Sequence, residues 1–432
     1  MSRLSRAAAG GELRVDDGCV GAALAGPRRW LGSAVEWKKL GEVAKICRGV
    51  RVVKKELTDD GKYAVYQNSL KPLGYYGEAN VKGGTAFVIG AGAAGEVGYS
   101  EQDFWAADDC YYIDGGERLI GRYVYYCLTS RQDWLLGKVR KASIPRLSRD
   151  FIAALEIPLP PLPVQREIVQ ILDNFANLTA ELTAELTAEL AKRKKQYEHY
   201  RDMLLNFTGG GRYDKFGVES GEFRVEWKRL GEICDMVTDY TAAGSFADIA
   251  RNVEYKREVD FAQLVRTTDI KSRFTKEAQI FISESAYKYL WRVHLDQASI
   301  VLPNIGNCGE VYFITPDILP YKKSALAPNA LLIRSSNIDL KFLYYWFTGD
   351  DFQKRLKKIV SPVGQGKFNK TELKQLLIPL PPLAEQERIV AILDRFDSLC
   401  NSLTEGLPAE IALRKKQYEY YRDKLLSFKE VG

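Results

Sequence analysis

Histidine is nearly absent from this 432-residue sequence, which contains only His199 and His294. Two scattered histidines argue against most histidine-based metal sites and acid–base mechanisms. The seven cysteines are odd in number, and no two of them form a C-x-x-C pair. This pattern argues against a disulfide framework or a zinc site and favours reduced thiols in a cytoplasmic protein.

Long hydrophobic runs and enzyme signatures are also missing. No stretch of about 18 apolar residues indicates a membrane span. The sequence has no Walker A motif, no histidine-centred triad and no D/N-P-P-F/Y motif of the kind an amino-methyltransferase would use. We therefore predict a protein without a catalytic site, a cofactor or a metal of its own. The length favours two to four domains, and the net charge of +6 is too small to identify a partner by itself.

A glycine-rich stretch, GAGAAG at residues 90–95, matches the dinucleotide-binding pattern G-x-G-x-x-G. A dinucleotide site needs a helix directly after this pattern, because the helix N-terminus binds the pyrophosphate. Here the sequence EVGYS follows, which is typical of a strand or a turn. We interpret the glycines as bulge and turn residues. A nucleotide-dependent enzyme is the alternative that this stretch leaves open.

The sequence does contain a duplication. VEWKKLGE (35–42) returns as VEWKRLGE (225–232). IPLPPLPVQREIVQILDNF (157–175) returns as IPLPPLAEQERIVAILDRF (378–396), and RKKQYEHYRDMLLNF (193–207) returns at the same offset as RKKQYEYYRDKLLSF (414–428). The first match has a smaller offset than the other two, so the variable region between the motifs is longer in the second half. Each half is therefore a variable module followed by a segment of constant length.

A long helix is predicted to follow each proline-rich IPLPPL segment. Proline is excluded from a helix interior, so the first helix should begin near Val164 to Arg166. It contains the tandem repeat LTAELTAELTAEL (178–190), whose four-residue period places the leucines on one face. The second helix should bend or break at Gly406 and Pro408. Residues predicted to pack the helices together or to bind partners are Ile168, Leu172, Phe175, Leu178, Leu182, Leu186, Leu190, Ile389, Leu393 and Phe396.

The predicted fold class is α+β, with two similar mixed α/β modules joined by two long antiparallel helices in a pseudo-twofold arrangement. Both modules contain the motif G-x-x-G-E-V, at 92–97 and 306–311, which indicates one fold for both. The predicted segments are an N-terminal extension that we expect to be poorly ordered (1–34), the first module (35–156), a proline lead-in and first helix (157–207), a linker (208–224), the second module (225–377), and a second lead-in and helix (378–432).

Basic residues cluster near the start and the end of each module, between small and amide side chains. Lys and Arg neutralise phosphates, while Gln, Asn, Ser and Arg can read base edges. Ordinary solvated charge is the alternative for each individual position. The candidate DNA-binding residues are Arg48, Arg51, Lys54, Lys55, Gln67, Asn68, Lys71, Lys138, Arg140, Lys141, Ser143 and Arg146 in the first module, and Arg266, Lys271, Arg273, Lys354, Lys357, Lys358, Gln365, Lys367, Asn369 and Lys370 in the second.

The order of these motifs resembles the specificity subunit of type I restriction–modification systems. The resemblance rests on VEW-(K/R)-LGE, a variable module, IPLPPL-x-x-Q-x-x-IV-x-ILD-x-F and RKKQYE-x-YRD, each present twice, with TAEL units in the first helix and SLTEGLPAEI in the second. It covers about residues 35 to 430.

This resemblance implies two target-recognition domains, each reading one half of a split double-stranded DNA site, with the two helices acting as a ruler. It also implies two modification subunits that carry S-adenosylmethionine and methylate adenine, and restriction subunits that use ATP and Mg²⁺. None of these cofactors is expected on this chain. The alternative from another class is a coiled-coil scaffold that does not bind DNA.

Overall fold

The structure is a computed structural model that describes residues 34–58, 61–141, 143–207, 225–275, 278–361, 364–401 and 406–430. The chain divides into two compact units, which are Met1–Leu186 with Ile411–Gly432, and Thr187–Glu410. The predicted N-terminal extension, apart from Ala34, and the predicted linker lie outside the described residues.

The first module, which belongs to the first unit, is built from short strands and helices. Its strands are β1 (Ala34–Val35), β2 (Trp37–Lys39), β3 (Lys45–Arg48), β4 (Tyr63–Tyr66), β5 (Gly74–Tyr76), β6 (Thr85–Ile89), β7 (Val97–Ser100), β8 (Trp105–Ala106), β9 (Cys110–Asp114) and β10 (Glu156–Pro158). Its helices are α1 (Leu40–Val43), α2 (Gly121–Ser130), α3 (Gln132–Gly137) and α4 (Arg149–Ala153), with a 3-10 turn at Lys54–Glu56, and the long helix α5 (Leu162–Leu204) follows.

The second module, in the second unit, has the same kind of composition. Its strands are β11 (Glu226–Arg229), β12 (Met236–Asp239), β13 (Ala262–Val265), β14 (Phe281–Ile282), β15 (Ser299–Pro303), β16 (Tyr312–Ile314), β17 (Ser324–Leu326), β18 (Ala330–Arg334) and β19 (Leu377–Leu380). Its helices are α6 (Leu230–Ile233), α7 (Phe246–Asn252), α8 (Thr267–Lys271), α9 (Glu284–Tyr289), α10 (Leu340–Thr348), α11 (Asp350–Ile359) and α12 (Lys370–Lys374), with 3-10 turns at Tyr240–Ala243, Trp291–Val293 and Pro316–Ile318. The chain continues as α13 (Leu383–Asn401), α14 (Gly406–Leu425) and β20 (Lys429–Glu430).

The two modules share one sheet topology. An antiparallel sheet has the order β3-β9-β6-β7 in the first module and β12-β18-β15-β16 in the second. A mixed sheet has the order β5-β4-β8 in the first and β14-β13-β17 in the second, and its second pair of strands is parallel in both. The predicted fold class, two similar mixed α/β modules with long helices, is confirmed.

The repeated motifs close each module by pairing its first and last segments. Strand β2 of the VEW motif pairs antiparallel with β10 of the IPLPPL motif, and β11 pairs with β19 in the same way. Trp37 lies opposite Pro158, and Trp227 lies opposite Pro379. A two-stranded ladder tolerates these prolines, because a proline on an edge strand can direct its missing donor away from the partner strand. The predicted extended lead-in is therefore a strand at its start.

Helix α5 is continuous over 43 residues. It begins at Leu162, ahead of the predicted start at Val164, so that boundary was wrong. The reason is that Pro163 occupies the first turn, where a backbone N–H has no intrahelical partner and proline is well tolerated. The second long segment consists of α13, which ends at Asn401, and α14, which begins at Gly406, and the four residues between them lie outside the described residues. Pro408, where the sequence also predicted a bend, lies in the first turn of α14. Gly406 has a φ of +75°, a left-handed conformation that favours glycine.

Each unit buries the beginning of one long helix and the end of another. In the first unit, Ile168 and Leu172 of α5 join the apolar core together with Leu425 of α14. In the second unit, the core takes in Leu204 of α5 and Leu393 of α13. The helix ends are therefore part of the module cores, which fixes each module to its helices through buried apolar surface.

The apolar face of α5 is less buried in the middle of the helix than at its two ends. Leu178 is 63% exposed, and the next three leucines of the TAEL repeat are half-buried. Phe175 is half-buried, with its ring stacked 5.6 Å from that of Tyr421, and Phe396 packs beside Tyr197 and Tyr200. No helix in the described part of the chain is long and apolar enough to cross a membrane.

Candidate nucleic-acid interface

A short basic segment near the end of the first module, residues 140–146, is named loop A, and Ala142 within it lies outside the described residues. Arg140 and Arg146 exchange two backbone hydrogen bonds, of 2.8 and 3.2 Å, which close the loop. The N–H of Gly92 donates to the carbonyl of Pro145 at 3.1 Å. Loop A is thereby fixed on the glycine-rich turn that was identified in the sequence.

The second module has a corresponding segment at residues 361–367, named loop B, of which residues 362–363 lie outside the described part of the chain. The N–H of Ser361 donates to the carbonyl of Lys367 at 2.8 Å, and the N–H of Gly306 donates to the carbonyl of Gly366 at 2.9 Å. Loop B follows loop A at the same offset that separates the two IPLPPL motifs. Both modules therefore present an anchored loop at an equivalent position.

The glycine-rich turns are hairpin connections. Gly92 has a φ of +82° and Gly306 a φ of +83°, and both conformations favour glycine. A Cβ at Gly92 would lie 2.8 Å from the carbonyl oxygen of Asn68, so the close approach also requires glycine there. Strand β7 follows the turn and pairs antiparallel with β6. The dinucleotide-binding alternative is wrong, because the helix that it requires is replaced by this strand.

Many candidate DNA-binding side chains are exposed, and within the described ranges they form no side-chain hydrogen bond or ion pair. They are Arg51, Lys55, Lys71, Arg140, Lys141, Ser143, Arg146, Lys357, Lys358, Gln365 and Lys367. Most belong to loops A and B, and Lys357 and Lys358 lie in the last turn of α11, just before loop B. Each loop thus carries cations that a phosphate backbone could reach.

Other candidates already have partners inside their module. Arg266 donates to buried Asp269 at 2.9 and 2.6 Å, and these hydrogen bonds raise the pKa of Arg266. The Asn369 side chain accepts from the N–H of Glu372 at 2.9 Å and caps α12. Such geometry favours structural roles for both side chains.

The remaining candidates have other contacts. Arg48 and Gln67 donate to Asp108, Lys271 to Glu310, Arg273 to the carbonyl of Asn401, Lys354 to Asp350 and Lys370 to Asp239, while Lys138 lies over the ring of Trp134. Lys54 lies in the 3-10 turn, and the carbonyl of Asn68 accepts from the N–H of Ala93. All candidate assignments to DNA stay predictions.

Buried glutamines at the start of the long helices were missed by sequence reasoning. Gln165 accepts from the N–H of Ile120 at 3.0 Å and donates to the carbonyl of Pro160 at 2.9 Å. Gln386 accepts from the N–H of Asp339 at 2.8 Å in the same way. The signal was available, since both occupy the Q of IPLPPL-x-x-Q. These side chains fix the start of α5 to α2 and the start of α13 to α10.

A repeated aspartate makes a second link between helix and module. The hydroxyl of Tyr126 donates to Asp173, and that of Tyr345 donates to Asp394 at 2.5 Å. Burial is the largest cause that raises the pKa of both tyrosines, and the hydrogen bond to the carboxylate raises it further. The D of the ILD motif is therefore explained by contacts within each unit.

We expect Gln165→Ala to lower the free energy of unfolding by about 1–3 kcal/mol, because it leaves a buried N–H and buried carbonyls without partners. The check is urea denaturation of the full chain, with Gln170→Ala as the matched control at an exposed position of α5. Equal small effects of both substitutions would show that the buried hydrogen bonds contribute little.

Two modules of one topology, each with an anchored loop and each fixed to long helices, define a duplicated protein. In the described part of the chain, no group of three or more His, Cys, Asp or Glu could hold a metal ion. The family described as type I restriction modification DNA specificity domain matches residues 33–192 and 224–413. The chain belongs to this family of non-catalytic specificity subunits.

Relatives support the assignment over most of the chain. A putative type I restriction enzyme specificity subunit of Haemophilus influenzae is 32% identical over 423 residues, which cover 92% of this chain and 96% of the relative. The EcoR124I/EcoR124II specificity subunit of Escherichia coli is 33% identical over 316 residues, covering 71% of this chain and 70% of the relative. A solved structure from work on assembly and conformational transition of the type I R-M system covers 92% of this chain and 98% of its own, with a TM-score of 0.59 and 16% identity, which supports the fold.

Proposed function

We propose that this chain is the DNA-reading subunit of a type I restriction–modification complex, in which each module reads one half of a bipartite double-stranded site. The observation that carries the proposal is the pair of loops A and B. They are held at equivalent positions by equivalent backbone hydrogen bonds, yet their sequences, RKASIPR and SPVGQGK, differ at every position. One scaffold with two different sets of exposed side chains suits two half-sites of different sequence.

The exposed side chains have the chemistry that DNA recognition needs. Arg140 and Arg146 of loop A can bond two acceptors of guanine, and Gln365 of loop B can bond adenine through its amide. Lys141 and Lys367 carry charge suited to phosphates. The loops therefore combine groups for base reading with groups for backbone contact.

The long helices are the proposed docking surface for two methyltransferase subunits, which would carry S-adenosylmethionine and methylate adenine at N6. Restriction subunits using ATP and Mg²⁺ would complete an endonuclease. This proposal is supported by exposed leucines on α5, α13 and α14, which are Leu178, Leu383, Leu399 and Leu413. Exposed apolar side chains on paired helices are typical of surfaces that partners cover, so the isolated chain should be poorly soluble.

Salt dependence offers a test at single lysines of the second module. The slope of log K against log salt is negative, and replacing Lys357 or Lys358 by Ala should reduce its magnitude by about 0.9. The reason is that each variant would release one phosphate counterion fewer on binding DNA. Lys288→Ala is the control, since this exposed lysine pairs with Glu284 on α9. DNA binding measured between about 50 and 200 mM salt gives the slopes. Unchanged slopes at both positions would remove α11 from the interface.

The competing function is a coiled-coil scaffold without DNA. A gel shift with random duplex, run with and without the methyltransferase partner, separates the two. We expect salt-dependent binding. Absence of binding under both conditions would refute the DNA-reading function.

A further inference from the structure

A pocket of about 270 Å³ lies in the first unit, where the first module meets the end of α14. Its floor is formed by Trp37, Cys127, Ile157 and Leu426, which are buried or half-buried. Exposed polar side chains, Arg131, Glu156 and Asp423 among them, stand at its rim. An apolar floor with a few polar groups at the edge is the usual composition of a small-molecule site.

The second unit shows what size of group this place accepts. Tyr126 of α2 and Tyr345 of α10 make the same hydrogen bond to the repeated aspartate, so the next residues, Cys127 and Trp346, are equivalent. Trp346 is buried, with its ring 5.8 Å from that of Trp227. The space that an indole fills in the second unit is therefore left open by a cysteine in the first.

The chemistry of the pocket suits an aromatic ring. The Trp37 ring offers a flat wall, and the guanidinium of Arg131 lies 5.9 Å from its centre. Burial raises the pKa of the Cys127 thiol to about 12, so the thiol stays neutral and behaves as a small apolar group. A planar aromatic molecule could pack on Trp37 while its edge meets the polar rim.

We propose that this pocket is a binding site for a small planar aromatic molecule of about the size of indole. The site is independent of DNA reading, because its lining residues lie at the junction of module and helix. Binding there would stabilise the junction, since it adds apolar contact where the second unit has its own tryptophan.

Free indole is the probe, and thermal unfolding of the full-length chain is the readout. At about tenfold excess over its dissociation constant, indole should raise the melting temperature by about 3 °C. Cys127→Trp should abolish this rise, because the new side chain fills the pocket. Equilibrium dialysis should find one indole per wild-type chain. No bound indole, or an equal rise for Cys127→Trp, would overturn the proposal.

The second unit offers a matched control, and it keeps the test decisive if Cys127→Trp does not fold. Trp346→Cys should lower the melting temperature and create a second indole site, so that dialysis finds two per chain. If Trp346→Cys gains no indole site, the equivalence behind the proposal is wrong.

A further arm separates two sources of the aromatic group. Trp30 lies outside the described residues, four positions before Ala34 in the sequence. If indole stabilises the Trp30→Ala variant and not the wild type, the group comes from the chain itself and a free ligand is ruled out. Equal stabilisation of both supports a free aromatic ligand.

Discussion

Deletion of one TAEL unit, residues 183–186, should shorten the spacer between the two halves of the methylated DNA site by one base pair. Four residues of α-helix correspond to about 6 Å of length and to a rotation of about 400°, which is one turn plus roughly 40°. A base-pair step of DNA rises about 3.4 Å and rotates by roughly 35°. Rotation favours one base pair, whereas length alone would allow nearly two. We expect one, because both modules must keep facing the same groove.

The structure supports the choice of this segment. Helix α5 is continuous through the repeat, and the division between the two units falls inside it, between Leu186 and Thr187. The leucines of the repeat are half-buried or exposed, so one TAEL repeat can be removed without opening a module core.

Mapping methylated adenines in cells that carry the variant and its methyltransferase partner checks this result. Insertion of one TAEL unit should lengthen the spacer by one base pair, and Thr183→Ala, which keeps the length, should leave it unchanged. An unchanged spacer in the deletion variant that still methylates would refute the ruler role of the repeat.

The second large effect is expected at loop A. The double substitution Lys141→Glu with Arg146→Glu should weaken recognition of the first half-site on the order of 100-fold, because each lost contact costs about 1–3 kcal/mol. Both side chains are exposed and, within the described ranges, form no side-chain hydrogen bond or ion pair. Their reversal should therefore leave the fold intact.

The measurement is binding to duplexes in which one half-site at a time is randomised. The matched control is Lys39→Glu with Lys45→Glu, which changes the net charge equally at two exposed positions of the same module that, within the described ranges, form no side-chain hydrogen bond or ion pair. Loss of discrimination at the first half-site alone is expected. Equal losses at both half-sites, or the same loss in the control, would contradict the modular assignment.

The duplication allowed much of the fold to be predicted. Repeated motifs predicted two modules of one fold, and the left-handed backbone of Gly406 agrees with the bend predicted at that residue. The helix start at Leu162 was missed because proline in a first turn looks the same in sequence as proline in an extended segment. Sequence reasoning locates helices and strands well where the hydrophobic period agrees with the positions of proline and glycine.

The candidate site was harder to predict, because charge alone does not show what a side chain contacts. Arg266 and Lys141 look alike as basic residues between polar neighbours, yet only Arg266 is held by a buried carboxylate. The partner, Asp269, is three residues further along the chain. Many basic residues have an acidic residue at this spacing, so the sequence alone does not show which pairs form. Gln165 shows the converse, because its repeated identity reflects buried hydrogen bonds within the unit.

The most direct test of two-module recognition is a map of methylated adenines in a genome that carries this chain and its methyltransferase partner. The predicted result is one bipartite motif, with two specified segments of different sequence separated by a spacer of unspecified bases. A single uninterrupted motif, or a methylation pattern that does not change when this chain is removed, would contradict the account.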